Sequence, residues 1–291
     1  MEDGFLDILN ERKYSVSYEV FPSRSEVSFQ KVSDAAYRIA DLHPAFMSVT
    51  YGAGGGTSEY TMNLARALQN EKNIPVVAHL TCIASEKFRI REQLKLLTEN
   101  GIRNVLALRG DIPVGFDTKN HDYSHAIELV RDIKEFDPGI CIAGACYPDM
   151  HPEAATLNED IAYLKEKVDA GVDFLISQMF FDNGVFYSYM YRLREAGINV
   201  PVHPGIMPIV NVSQVQRTLK LSGTALPQRF KRIVDTFGGT KEAMKQAGIA
   251  YATDQIIDLF ANGFHSVHVY SMNNPSVAEA ISRNLSQILG L

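Results

Sequence analysis

No apolar run in the 291 residues reaches the roughly 18 that a membrane-spanning helix needs, which argues against an integral helical membrane protein. Basic residues never gather into a long run, and 28 Lys and Arg against 34 Asp and Glu leave a net charge of −6. That balance argues against bulk binding to nucleic acid or an anionic membrane, but leaves room for a small anionic ligand in a locally basic pocket. Cysteine is scarce. Cys82, Cys141 and Cys146 form no C-x-x-C and are odd in number, so no disulfide framework is expected. Cys141 and Cys146 lie five apart in one apolar run and fall on opposite faces of a strand; all three read as buried thiols of a reducing cytosol. Met1-Glu2-Asp3-Gly4 lacks the basic and apolar regions of a secretory leader, so a soluble, cytoplasmic protein is expected. Also missing are a Pro/Gly/Ser-rich linker, a low-complexity tract, a G-x-G-x-x-G run and a P-loop lysine.

What the chain does have is a recurring junction. Asn100-Gly101-Ile102, Ala170-Gly171-Val172, Ala196-Gly197-Ile198 and Asn262-Gly263-Phe264 each end a helical pattern and lead into a short apolar, β-branched run. Glycine just past a helix takes the left-handed conformation without a Cβ clash, and such a run reads as a strand buried on both faces. Gly139, before Ile140-Cys141-Ile142-Ala143, resembles a fifth copy. Strands are expected near 15–21, 45–52, 74–81, 102–109, 140–147, 172–179, 200–207 and 265–271. Helices are expected around 26–41, 58–71, 86–99, 123–136, 156–170, 183–196, 212–221 and 276–289. Strict alternation over eight repeats predicts an α/β chain folded as a (β/α)8 TIM barrel, one catalytic domain over 1–291. Gly197 to Gly263 spans 66 residues where about 30 would serve, so a helical insertion over 222–250 is expected before strand eight. A doubly wound sheet is the competitor, but Phe21-Pro22-Ser23-Arg24 after strand one carries no glycine fingerprint.

Active sites of such barrels lie at the C-terminal strand ends. Those ends carry Glu19, Thr50 and Tyr51, His79 and Thr81, Arg109-Gly110-Asp111, Tyr147 and His151, and Gln178. A Glu facing a largely apolar mouth is disfavoured as the charged form, which suits a general acid. Gly52-Ala53-Gly54-Gly55-Gly56 has no phosphate-cradle spacing but remains a candidate ligand-contacting loop. His121 and His125 are four apart, yet fall where a loop is expected; no metal site is assigned. His265 and His268, in one strand, face opposite ways. Tyr187, Tyr189 and Tyr191 read as helix-face packing.

Seven runs together resemble the methylenetetrahydrofolate reductases. They are Val16–Pro22, Ser48–Ala53, His79–Cys82, Ala107–Asp111, Tyr147–Glu153, Lys167–Gly171 and Pro204–Pro208, in the family's order. The chain is similar to the bacterial-type enzyme, catalytic barrel only. The resemblance implies noncovalent FAD at the strand C-termini and reduction of 5,10-methylenetetrahydrofolate to 5-methyltetrahydrofolate by NADH or NADPH, a step of one-carbon metabolism and methionine biosynthesis. It implies two half-reactions at one site: nicotinamide reduces the flavin and leaves, then the folate takes the hydride from flavin N5. By the same matching, Glu19 is the acid that protonates the leaving nitrogen, Asp111 is the carboxylate beside flavin and pterin, and Gln178 meets pterin and nicotinamide in turn. The matched FAD contacts are Thr50, Tyr51, Ala53, His79, Arg109, Gly110, Asp111, Tyr147, His151, Ala154, Asp160 and Lys167, with Arg109 and Lys167 offering charge to the pyrophosphate. Gln214 matches a folate contact.

Four positions depart from the family pattern. Tyr163 and Glu166 stand where Asn and Arg are expected near the adenosine, Thr218 replaces a stacking aromatic, and Asn274 replaces an Arg expected at the folate glutamate tail, so another cation should contribute there. The partners implied are a reduced folate and a nicotinamide dinucleotide, with no nucleic acid or membrane, and a homo-oligomer is expected. Two alternatives stay open: another flavin-bearing barrel oxidoreductase, such as a proline dehydrogenase-like oxidase, and a flavoprotein subunit reduced by a protein partner.

Overall fold

The computed structural model describes residues 5–22, 26–50, 58–112, 121–215, 218 and 226–291. Eight parallel strands close into a barrel in sequence order: β1 (Ser15–Val20), β2 (Met47–Val49), β3 (Val76–Thr81), β4 (Asn104–Leu108), β5 (Cys141–Cys146), β6 (Phe174–Met179), β7 (Val202–Ile206) and β8 (Ser266–Val269). Closure comes from β1 pairing with β8 in the register Ser15↔Ser266 to Tyr18↔Val269. The helices are α1 (Phe5–Glu11), α2 (Glu26–Ala40), α3 (Ser58–Asn70), α4 (Lys87–Glu99), α5 (Ala126–Phe136), α6 (Leu157–Asp169), α7 (Asn183–Glu195), α8 (Gln228–Phe237), α9 (Lys241–Ala261) and α10 (Pro275–Leu289). No helix among the described residues is long and apolar enough to cross a membrane.

The repeated junction works as its glycines suggest. Gly101, Gly171, Gly197 and Gly263 all have positive φ. Gly139 does not belong with them: its N–H donates to Asp137 Oδ1 at 2.8 Å, so an Asp-Pro-Gly turn replaces the left-handed cap. Cys141 packs inside the barrel and Cys146 against the helices, on opposite faces, although Cys141 is only half-buried. Tyr189 is buried but Tyr191 is 66% exposed, because residues two apart on a helix point different ways.

Three features were not expected. The first is α1, which closes the bottom of the barrel. Phe5 packs on Phe46 and Phe174, ring centroids 5.6 Å away in each case, over the interior layer of Val77, Leu106 and Ala143. The second is a bulge in β6: Ile176 pairs with His203 but Met179 with Gly205, so β6 carries one extra residue where Gln178 lies. The bulge brings the Ser177 carbonyl over Gly205, where a Cβ would sit 2.1 Å from that oxygen. The third is the reach of the segment before β8. An extra helix is there, as α8, but α9 runs on to Ala261 and forms part of the helical layer. Phe181, Met207, Phe230, Met244 and Tyr251 make a satellite core, with Phe181 and Phe230 stacked at 5.4 Å. At Gly248, α9 lies directly on the chain leaving β7; a Cβ would fall 1.7 Å from the Ile209 carbonyl oxygen.

The barrel's middle is polar. His268 Nδ1 lies 2.8 Å from Ser17 Oγ and Nε2 lies 3.0 Å from Ser48 Oγ. Ser17 Oγ–H also donates to the Val267 carbonyl, so it accepts from His268 Nδ1–H, leaving Nε2 to accept from Ser48. His203 sits among the edges of Phe46 and Phe174, and its Nδ1 has no hydrogen-bond partner among the described residues. Burial lowers the pKa of both histidines, that of His203 to about 4.

Two stability predictions follow from these contacts. In an open helix Gly→Ala stabilises by about 1 kcal/mol. Here Gly248→Ala should instead destabilise by about 3 kcal/mol in urea unfolding, because backbone must move to admit the methyl group. His203 is neutral in the fold well below the ordinary 6.5, whereas the unfolded chain takes up its proton. Its contribution therefore weakens as pH falls from 6.5 towards 4, by about 1.4 kcal/mol per unit. His203→Phe should remove that slope, seen as a stability gain over the parent that is larger at pH 5 than at pH 7.5.

Candidate active site

The mouth of the barrel brings Glu19 and His79 together. Glu19 ends β1 on the same inward face as Ser17, and His79 lies inward on β3, with its Nε2 3.7 Å from Glu19 Oε2. His79 Nε2 has no hydrogen-bond partner among the described residues. Burial pushes the Glu19 carboxyl up to about 7 and the His79 imidazole down to about 3. The two groups do not form an ion pair: a carboxyl that holds its proton up to about pH 7 stands beside a neutral ring. Thr50 follows β2, its N–H bound to the Val20 carbonyl at 3.0 Å and its own carbonyl accepting from Thr61 Oγ1 at 3.1 Å. Tyr51, Ala53 and the rest of the glycine loop 52–56 lie outside the described residues.

A cavity of about 450 Å³ opens beside this mouth, between the ends of β4 and β5 and helix α6. Arg109, Tyr147, His151, Ala154, Asp160 and Lys167 line it, as do Tyr163 and Glu166. Helix α6 supplies one wall because Asp160, Tyr163 and Lys167, spaced three, four and seven apart, share a face. The helix starts there because Thr156 Oγ1 accepts from Glu159 N–H at 3.2 Å while Glu159 Oε2 accepts from Ala155 N–H at 2.8 Å. The Asp160 carboxylate accepts from His151 N–H at 2.9 Å and holds the loop after β5, where Tyr147 and His151 meet edge to face at 4.6 Å. Lys167 Nζ donates to the Ala145 carbonyl at 2.7 Å, and burial lowers its pKa. Arg109 makes a two-pronged bond to Glu153, with Nη1 to Oε2 at 2.6 Å and Nη2 to Oε1 at 2.7 Å. Gly110, at φ 88, lies so close to β3 that a Cβ would be 3.0 Å from Thr81 Cβ.

Other expected site residues stand apart from that cavity. Asp111 is exposed just beyond Gly110. Gln178, at the β6 bulge, accepts from Met179 N–H through Oε1 at 3.0 Å. Gln214 lies in the helical residues 212–215 after β7, its Oε1 accepting from Val210 N–H at 2.9 Å. Thr218 is buried, its hydroxyl donating to Met207 Sδ at 3.7 Å. Asn274 stands at the N-cap of α10 and accepts from Ser276 Oγ–H at 2.8 Å; the same Ser276 oxygen accepts from Lys245 Nζ at 2.7 Å, which puts a lysine near Asn274. Sequence reasoning missed Lys245, Glu153 and Tyr270, whose hydroxyl donates to the Ser177 carbonyl at 2.7 Å. Glu153 lay inside a quoted run, but its partner is 44 residues away and no local pattern pairs them.

The chemistry available is a neutral carboxyl that can donate a proton at the mouth, next to a cleft offering two cations and the aromatic surfaces of Tyr147 and Tyr163. The 5,10-methylenetetrahydrofolate reductase of Escherichia coli (strain K12) is 32% identical over 277 residues, covering 95% of this chain and 92% of that protein. Methylenetetrahydrofolate reductase (NADH) 1 of Zea mays is 34% identical over 301 residues, covering 98% of this chain and 50% of the relative. The chain thus spans about half the length of the plant relatives it matches. A solved structure of an uncharacterized protein from Clostridium thermocellum, which binds two copies of 5-methyl-5,6,7,8-tetrahydrofolic acid, superposes with a TM-score of 0.68. It is 11% identical and covers 97% of this chain and 99% of its own, a likeness of fold. Residues 5–286 match the family described as Methylenetetrahydrofolate reductase, and with these relatives the match places this chain in that family.

Proposed function

We propose that this chain is the catalytic barrel of a methylenetetrahydrofolate reductase, reducing 5,10-methylenetetrahydrofolate to 5-methyltetrahydrofolate with NADH or NADPH and noncovalent FAD. The observation that carries the reading is Glu19, a carboxyl whose pKa burial lifts to about 7 at the mouth of the barrel. The bridging methylene of the substrate accepts hydride poorly while its five-membered ring is closed. Protonation of the leaving nitrogen opens the ring to an iminium, and Glu19 is the group held protonated for that transfer. The folate in the Clostridium thermocellum neighbour supports the substrate class, and the NADH in the plant relatives' names supports a nicotinamide donor.

The cavity residues fit FAD in chemistry. Arg109 and Lys167 would meet the pyrophosphate, Tyr147 and His151 would offer ring surface, and Asp160, one oxygen of which holds the His151 loop, would contribute its remaining acceptor sites. Gly110 permits close approach at the β4 end, and Thr50, His79, Ala154, Tyr51 and Ala53 complete the assigned contacts. Tyr163 and Glu166, on the open side of α6, stand at the adenosine end. When bound, FAD supplies the two-electron carrier between nicotinamide and folate. Asp111 and Gln178 orient the pterin, Gln214 contacts the folate, and Lys245 beside Asn274 meets the glutamate carboxylates in place of the arginine. The same reading takes the chain as one catalytic domain of a cytoplasmic homo-oligomer.

The purified protein should be yellow and should bleach anaerobically with NADH or NADPH. Colourless protein that takes up no FAD would overturn the reading, and bleaching by neither nucleotide would move the donor to a protein partner. Glu19→Gln should leave flavin reduction by nicotinamide intact and slow folate reduction by about 10²- to 10⁴-fold in stopped flow. Because Glu19 must be protonated to act, the parent's folate half-reaction should fall as pH rises through about 7, and equal loss of both half-reactions in the variant would remove the acid role.

A further inference from the structure

The guanidinium of Arg109 is saturated along the edge that matters. Both Nη atoms donate to the two oxygens of Glu153, and Nε donates to the Gly110 carbonyl at 3.3 Å. Each Nη keeps one outward N–H, but a phosphate bound end-on, two-pronged across both Nη atoms, uses that same planar edge. The two partners are not equally fixed. The Arg109 side chain is 21% exposed and the Glu153 side chain 55%. The Glu153 backbone is pinned by its N–H to His151 Nδ1 at 3.2 Å, so only the carboxylate arm has to swing for the fork to open. Arg109 also holds the Glu153 carboxyl below its usual range, chiefly through that hydrogen bond, so at neutral pH the arm is an anion.

We propose that Glu153 is an internal competitor for the cavity's anionic ligand: its carboxylate occupies the Arg109 fork until a pyrophosphate displaces it, and so sets the affinity for the cofactor. The proposal rests on the FAD reading above. Other charged and titratable groups face this end of the cavity, namely His125, Tyr147, His151, Asp160, Lys167 and the neighbouring Asp111, but none of them bonds the Arg109 fork. Binding exchanges one anion for another at the same donors, so the net gain is the difference between two charge-assisted pairs. An exposed-partner ion pair contributes up to about 1 kcal/mol, which corresponds to about fivefold in a dissociation constant.

The test is titration of flavin-depleted protein with FAD, read by quenching of flavin fluorescence, for the parent, Glu153→Gln, Arg109→Gln and the double variant. Glu153→Gln should bind FAD about fivefold more tightly, and the gain should vanish when Arg109 is also Gln. Unchanged or weaker binding by Glu153→Gln would overturn the proposal and leave Glu153 as a support that holds the arginine in place. A gain that persists without Arg109 would overturn it as well, because the effect would then be general charge and not the fork. Failure of the parent itself to bind FAD would overturn this proposal together with the cofactor reading, an outcome separate from the other two.

Discussion

Pairing of β1 with β8 removes the last free edge of the sheet, and from then on every inward side chain has only three places to go. At the bottom the interior is apolar and α1 seals it with Phe5. Midway the polar side chains are buried, so polarity is tolerated only where it is paired within the barrel or uncharged. Ser17, His268 and Ser48 satisfy each other across three strands, and His203 is held neutral between aromatic edges. At the top the same confinement acts on Glu19, and burial leaves its carboxyl protonated near neutrality. The raised pKa of Glu19 is therefore a consequence of burial in the closed barrel; no neighbouring charge is needed to produce it.

The mouth is elaborated on one side. The extra residue in β6 displaces the Ser177 carbonyl over Gly205, and Tyr270 from the end of β8 bonds that carbonyl. The bulge is thereby locked by a neighbouring strand end, next to Gln178. Beyond it, α8 and α9 add their own small core above β6 and β7, anchored where Gly248 meets the Ile209 carbonyl and where Tyr251 bonds the Phe181 carbonyl at 2.5 Å. The cavity lies on the adjoining side, between β4, β5 and α6.

The barrel was legible because its two governing signals are local. A glycine that ends a helix and a β-branched run that follows it are read within ten residues, and they repeat. Polar residues at strand ends were legible for the same reason: position along a strand fixes which end of the barrel a side chain occupies. What the sequence concealed depends on contacts between distant segments. The Arg109–Glu153 pair joins residues 44 apart, the β6 bulge is defined only by its register with β7, and the role of α1 depends on rings from β2 and β6. Gly139 shows the converse: a local resemblance to the other glycines misled because Asp137 offers its carboxylate as a competing turn partner.

The chain carries a net charge of −6, yet Arg109 and Lys167 line its cavity, and a third cation, Lys245, lies apart from it beside Asn274. The cations that could meet an anionic ligand are engaged within the protein itself: Lys167 on the Ala145 carbonyl, Arg109 on Glu153, Lys245 on Ser276. Such bonds fix long, flexible side chains before any ligand arrives, so little further rotamer entropy is lost on binding. They also prevent like-charged groups from crowding a low-dielectric wall without compensation. An anionic ligand would therefore meet donors already held in place. Lys167 and Lys245 have three N–H donors each and can add an oxygen without releasing the first; Arg109 keeps one outward N–H on each Nη, but its end-on fork is already filled by Glu153. The three cations therefore differ in kind: the two lysines are point charges with donors to spare, whereas the arginine's two-pronged edge is already occupied by a carboxylate.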